Sequence, residues 1–213
     1  KAVYNLVDTA YIGMLHSDIA LTAVGITVPL LLIMVSIENI FAAGAAVLAG
    51  RQLGAGDKEG ASCTVTTIVG LSVLIGIFLC MGGIFFMDPL MRAFGASEES
   101  LPLAKDYAFW MFVAALANLP AQSLNCAARA ESSVKISSIA VITGALLNVI
   151  LDPVFMFDWG LGMGVEGASL ATTVSQFITF FILAWFYGTG KSVIKIKKAS
   201  FKPSWAMVKT VAA

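Results

Sequence analysis

Three carboxylates interrupt otherwise uncharged, apolar stretches of this 213-residue chain: Asp8, Glu38 and Asp152. If those stretches cross a bilayer, each carboxylate costs about 2.5 to 3.5 kcal/mol even on a lenient insertion scale. Such a residue is by default a candidate for an ion path or a proton relay. Asp152 has the richest surroundings. Asn148 precedes it by four positions, which on a helix sets amide and carboxylate on one face about one turn apart. Pro153 follows at once and, lacking an N–H, leaves a backbone carbonyl one turn earlier free as an acceptor or cation ligand. Asp8 sits in a similar polar island, Asn5-Leu6-Val7-Asp8-Thr9. Two carboxylates with amide and hydroxyl oxygens make a hard, oxygen-rich set suited to Na⁺. Alternatively, desolvation favours the protonated carboxyl and makes it a proton carrier. The plainer reading is that each Asp is satisfied by neighbouring hydroxyls or lies nearer the interface. Glu38, in Ser36-Ile37-Glu38-Asn39, is followed by Ala42, Ala43, Gly44, Ala45 and Ala46. Small residues let helices approach closely, so a protonated Glu38 bonded across a helix interface stands level with a transport role.

The elements that must hold these groups follow from composition. The chain is 59% hydrophobic and only 12% charged, where soluble domains carry about 25% charge. That leaves too little polar surface for an ordinary water-soluble enzyme, a disordered chain or a nucleic-acid module. With 13 basic and 13 acidic residues, zero net charge gives no pull toward phosphate backbones. A spanning helix needs about 20 mostly apolar residues. The expectation is an all-α, polytopic transmembrane bundle of six helices, with spans at about 1–14, 20–50, 61–87, 103–128, 136–157 and 166–189. The first is too short to cross. With no initiator Met and no polar flank at Lys1, the sequence reads as a fragment that starts partway along a helix.

Connections are short and punctuated by Gly, Asp and Ser: Gly13 to Asp18, Gly54 to Asp57, Asp88 to Pro102, Arg129 to Lys135, and Asp158 to Glu166. Assigning alternate loops to opposite sides puts Arg51, Lys58, Arg129, Lys135, Lys191, Lys195, Lys197, Lys198, Lys202 and Lys209 on one side. Only Arg92 and Lys105 fall on the other. The first side is therefore expected to be cytoplasmic. Residues 191–213 interleave lysines with Val193, Ile194, Ile196 and Phe201, as an interfacial linker on an anionic leaflet does. Trp110, Trp159 and Trp185 read as interfacial anchors. Cys63, Cys80 and Cys126 show no paired spacing and read as packing residues, and His16 as a solvated loop histidine. No HExxH or GxSxG occurs, so the chain is not expected to be an enzyme.

Four motifs in order resemble the MATE (multidrug and toxic compound extrusion) transporters. Tyr4-Asn5-Leu6-Val7-Asp8-Thr9-Ala10-Tyr11-Ile12-Gly13, with Ala23-Val24-Gly25 and Pro29, is similar to that family's first helix and the entry to its second. Arg51-Gln52-Leu53-Gly54-Ala55-Gly56-Asp57-Lys58 is similar to its loop between helices two and three. Leu147-Asn148-Val149-Ile150-Leu151-Asp152-Pro153 resembles its fifth helix, and Gly164-Val165-Glu166-Gly167-Ala168-Ser169-Leu170-Ala171-Thr172 the start of its sixth. The resemblance implies one amino-terminal, six-helix lobe of a twelve-helix transporter, with a second lobe of the same protein as partner. It implies export of organic, often cationic, compounds by alternating access, coupled to H⁺ or Na⁺ entry, in a prokaryotic plasma membrane and without a cofactor. By resemblance, Asp8, Asn148, Asp152 and Thr172 form the proton or Na⁺ site, with Thr173 adjacent to the last of these; no role carries over to Glu38. The nearest alternative is a flippase for lipid-linked saccharides of related fold. Such proteins usually line the cavity with basic residues to meet phosphates, and no intramembrane Arg or Lys is evident here apart from Lys1.

Overall fold

Helix ends in this chain are written by a few small or capping residues, and the long apolar runs between them do the rest. The structure, a computed structural model, describes residues 10–15 and 17–196; Asp8, His16 and the chain after residue 196 lie outside it. After a helical stretch at 10–13 come α1 (Asp18–Gly54), α2 (Lys58–Phe85), α3 (Met87–Ala93), α4 (Leu101–Ala130), α5 (Val134–Met156) and α6 (Val165–Gly188), and the described residues contain no strand.

Ser17 caps α1 by accepting the Ala20 N–H on its hydroxyl at 3.2 Å. The α1–α2 joint is a Schellman turn: the Gly56 N–H reaches the Leu53 carbonyl and the Asp57 N–H the Gln52 carbonyl, with Gly56 at φ +80°. Asp57 then caps α2 through the Gly60 N–H at 2.7 Å. The α4–α5 joint repeats the turn, with Ser132 N–H on Arg129 O and Ser133 N–H on Ala128 O, but here a serine, Ser132, holds φ +65°.

Four helices, α1, α2, α5 and α6, are long and apolar enough to cross a membrane. The 30-residue α4, whose central part is expected to span, is long enough to cross as well but less apolar than these four. Asn118, Gln122, Ser123 and Asn125 dilute its apolar character. Between Asp88 and Pro102, where a plain connection was expected, the chain forms the two-turn α3. Arg92 binds Asp88 one turn back and Glu98 beyond the helix end, and Lys105 closes on Asp88. Arg92 and Lys105 are thus both paired with carboxylates.

Two compact units divide the chain. In one, Ile12, Met156 and Ala168 form a core lined by Tyr11, Val24 and Tyr107. In the other, Ala45, Ala49, Ala61, Ala121, Ala127, Ala128 and Ala140 bring helices together around Val65, Ile68, Leu124 and Leu183. Large apolar side chains point the other way: Phe78 is 72% exposed, and Leu32, Ile142, Leu146, Ile150 and Phe181 are exposed, while Thr67, Ser72, Ser123, Asn148 and Asp152 are buried. Apolar groups outside and polar groups inside suit a hydrocarbon solvent.

Two outcomes follow. A left-handed backbone costs a non-glycine residue about 1 kcal/mol, so Ser132→Gly should raise the thermal midpoint of the purified protein and Gly56→Ala should lower it. Hydrogen bonds from Lys105 and then Arg92 hold Asp88 below its ordinary value, and Arg92 does the same for Glu98. Depressed carboxylates stabilise the fold above their unfolded pKa and lose that contribution as pH falls through the folded one. The thermal midpoint should therefore drop below about pH 4, and Asp88→Asn should flatten that part of the profile.

Candidate functional site

Every fourth residue of α5 from Ala140 onward is buried: Ala140, Gly144, Asn148, Asp152 and Met156. Exposed Ile142, Leu146 and Ile150 take the opposite side. A spacing of four keeps these residues on one face, so the face that turns inward carries an amide and a carboxylate in succession. Asp152 is wholly buried and Asn148 nearly so.

Asn148 Nδ2 donates to Asp152 Oδ1 at 3.0 Å and to Thr172 Oγ1 of α6 at 3.0 Å. One amide thereby ties α5 to itself and to α6, with both of its N–H groups used. Its carbonyl Oδ1 is buried and meets no donor among the described residues. Thr172 is half-buried and gives the cluster its less enclosed side. Thr173 is turned elsewhere: its hydroxyl lies 2.8 Å from Ser169 O and 2.9 Å from Trp110 O. Of the two adjacent threonines, Thr172 is the one the helix presents to Asn148.

The α5–α6 connection sets this register. Leu161, Met163 and Gly164 donate their N–H groups back to the carbonyls of Val154, Phe155 and Met156, which otherwise end α5 without partners. Gly164 takes φ +59° to do so. At the start of α6, a Cβ on Gly167 would lie 2.6 Å from the Phe155 carbonyl oxygen, so only glycine allows this approach. Pro153 removes the N–H that would bond Val149 O, freeing a carbonyl within one turn of Asp152.

The expected site residues thus separate. Asn148, Asp152 and Thr172 come together in one unit, while Asp8 lies outside the described residues. Glu38 belongs to the other unit, 2% exposed in the middle of α1, where Asn118 Nδ2 of α4 donates to its Oε1. Asn118 carries no charge to mark it; an amide two positions before Pro120 in an apolar run is the only local signal the sequence offers. Trp110 is half-buried, its indole N–H donating to Glu166 at 3.0 Å, whereas Trp159 and Trp185 are exposed. No set of three His, Cys, Asp or Glu side chains converges among the described residues. Any cation here would be held by carboxylate, amide and hydroxyl oxygens.

Residues 1–154 match the family described as MatE. The chain belongs to the MatE family. It is 26% identical over 211 residues to the multidrug export protein MepA of Staphylococcus aureus (strain bovine RF122 / ET3-1), covering 99% of this chain and 46% of that protein. MepA of Staphylococcus haemolyticus (strain JCSC1435) is 25% identical over the same length. Among solved structures, MATE in the straight conformation superposes with TM-score 0.90 at 29% identity, over 99% of this chain and 46% of that one. The inward-facing conformation of a multidrug resistance MATE family transporter of the MOP superfamily gives TM-score 0.89 at 29% identity, over 98% and 47%. This MatE chain spans about half the length of these relatives. It is an integral membrane protein built of helices.

Filling the close approach at Gly167 tests what holds the MatE cluster together. Overpacking a tight contact costs about 1 to 3 kcal/mol, so Gly167→Ala should lower the thermal midpoint. Gly13→Ala, at a helix position with open space around it, should not lower the midpoint and should raise it slightly.

Proposed function

We propose that the chain forms one six-helix lobe, the amino-terminal one, of a secondary active antiporter. Its partner is a second lobe of similar size, and the pair exports organic, often cationic, compounds in exchange for entering H⁺ or Na⁺. The observation that carries this reading is the buried Asn148–Asp152–Thr172 cluster, a carboxylate held inside an apolar bundle by an amide. Burying an ionised carboxylate is costly, so this carboxylate favours either a proton or a bound cation.

Asn148 suits both. With Asp152 ionised, its Nδ2 donates to the carboxylate; with Asp152 protonated, its Oδ1 offers an acceptor after rotation of the amide. For Na⁺, Asn148 Oδ1, the Asp152 carboxylate and Thr172 Oγ1 supply hard oxygen ligands, joined by Asp8. Loading from outside would favour one arrangement of the lobes and release inside the other. A ligand shifts such an equilibrium only by its differential affinity for the two states, against a driving force of about 2.3 kcal/mol per charge per 100 mV. The basic segment after residue 190 faces the cytoplasm in this reading, in a prokaryotic plasma membrane.

Asp152→Asn and Asp8→Asn in the full-length transporter should each cut gradient-driven efflux of a cationic dye at least about tenfold, as loss of an intramembrane coupling carboxylate requires. Unchanged gradient-driven efflux in both would overturn the assignment. Imposing a Na⁺ gradient and a pH gradient separately across the same vesicles identifies the ion.

A further inference from the structure

The segment after α6 alternates. Ser192 and Ile194 are buried to 2% and 0% exposure, while Lys191, Val193 and Lys195 face outward. Ile194 enters the same core as Ala61, Val65, Leu124, Leu183 and Tyr187. Over it sits one carboxylate. Glu131, in the α4–α5 connection, accepts on Oε2 the Ser192 hydroxyl at 2.7 Å, the Val193 N–H at 3.0 Å and the Ile194 N–H at 3.2 Å. Lys195 N–H then donates to Ser62 Oγ of α2 at 2.9 Å, and Ser62 is itself tied to the Lys58 carbonyl. The turn into the segment is made by Gly190 at φ +72°, whose carbonyl accepts from the Lys195 ammonium.

We infer that Glu131 is a positioning residue: a clasp that fixes residues 191–196 to the ends of α2 and α4, so that the chain leaves this lobe at a fixed point. Two successive backbone N–H groups converging on one anionic oxygen form a nest for a negative charge, here filled from within the chain. The buried Ile194 side chain locks the register, because a slip of one residue would bury Val193 or a lysine instead. The lysines keep their outward positions, where an anionic leaflet can meet them without being what holds the segment. In the antiport reading, on which this consequence rests, residues 191–196 move with this lobe, and movement of the second lobe is transmitted through a stiff strap.

Amide hydrogen exchange on the full-length protein in lipid nanodiscs tests the clasp independently of transport. The Val193, Ile194 and Lys195 amides should be protected in the parent protein. Protection should fall by about tenfold or more in Glu131→Ala, with the core helices unchanged. Glu131→Gln, which keeps a carbonyl acceptor, should fall between, and Ile194→Ala should loosen the segment with Glu131 intact. Dye efflux by the same variants should show a maximal rate reduced about threefold or more with KM unchanged, as a conformational step requires. Absent protection in the parent, or equal protection in Glu131→Ala, overturns the clasp. Lost protection with an unchanged maximal rate overturns its part in transport while leaving the antiport reading to its own test.

Discussion

A carboxylate removed from water must be met by donors, protons or cations, and Asp152 sits where water has been removed completely. That requirement organises the surrounding structure. The Asn148 amide answers part of it from one turn away and, with its second N–H, draws in Thr172. For this to work, α6 must begin at the right height beside α5. The connection enforces that by spending its own N–H groups on the last carbonyls of α5, and glycine at 167 lets the two backbones close up. The polar cluster, the loop and the close contact are one device seen at three points along the chain.

Elsewhere the same solvent argument runs in reverse. Because hydrocarbon gives no hydrophobic reward for burying leucine, the interior is free to hold alanine, serine and threonine, whose size allows close helix approach. Serine and threonine hydroxyls buried in α2 bond back to carbonyls of their own helix, as Thr66 does to Ser62 and Thr67 to Cys63. This gives each hydroxyl an acceptor within its own helix. Glu38 cannot be satisfied that way alone, and Asn118 on α4 supplies a donor. A fully buried carboxylate in each unit thus meets an asparagine, in one case four residues away and in the other on a different helix. The charged groups outside the bundle behave as ordinary surface pairs: Asp88, Arg92, Glu98 and Lys105 bind one another in water.

How much of this the sequence carries depends on whether the partner is local. Asn148 and Asp152 share a helix at a spacing of four, and a periodicity argument places them side by side. The long apolar runs, interrupted by Gly56, Asp57 and Ser132, likewise show where helices start and stop. The pairing of Glu38 with Asn118 spans 80 positions and follows no local rule. Nor does that of Glu131 with the segment after α6, 61 to 63 positions on. Lysines and isoleucines in alternation suggested a segment resting on a leaflet; that Ser192 and Ile194 turn inward depends on a carboxylate and a core formed by other helices.

By itself the sequence determined that the chain is a helical membrane protein and that Asn148 and Asp152 form a polar face. Hydropathy and a four-residue spacing are properties of single segments. Only the tertiary structure decided that Thr172, not Thr173, meets that face, because one residue of helix rotation separates them by about 100° and the α5–α6 contact sets the rotation. It alone gave Glu38 its asparagine and Glu131 its strap. Those contacts exist because distant helices were brought within hydrogen-bond reach.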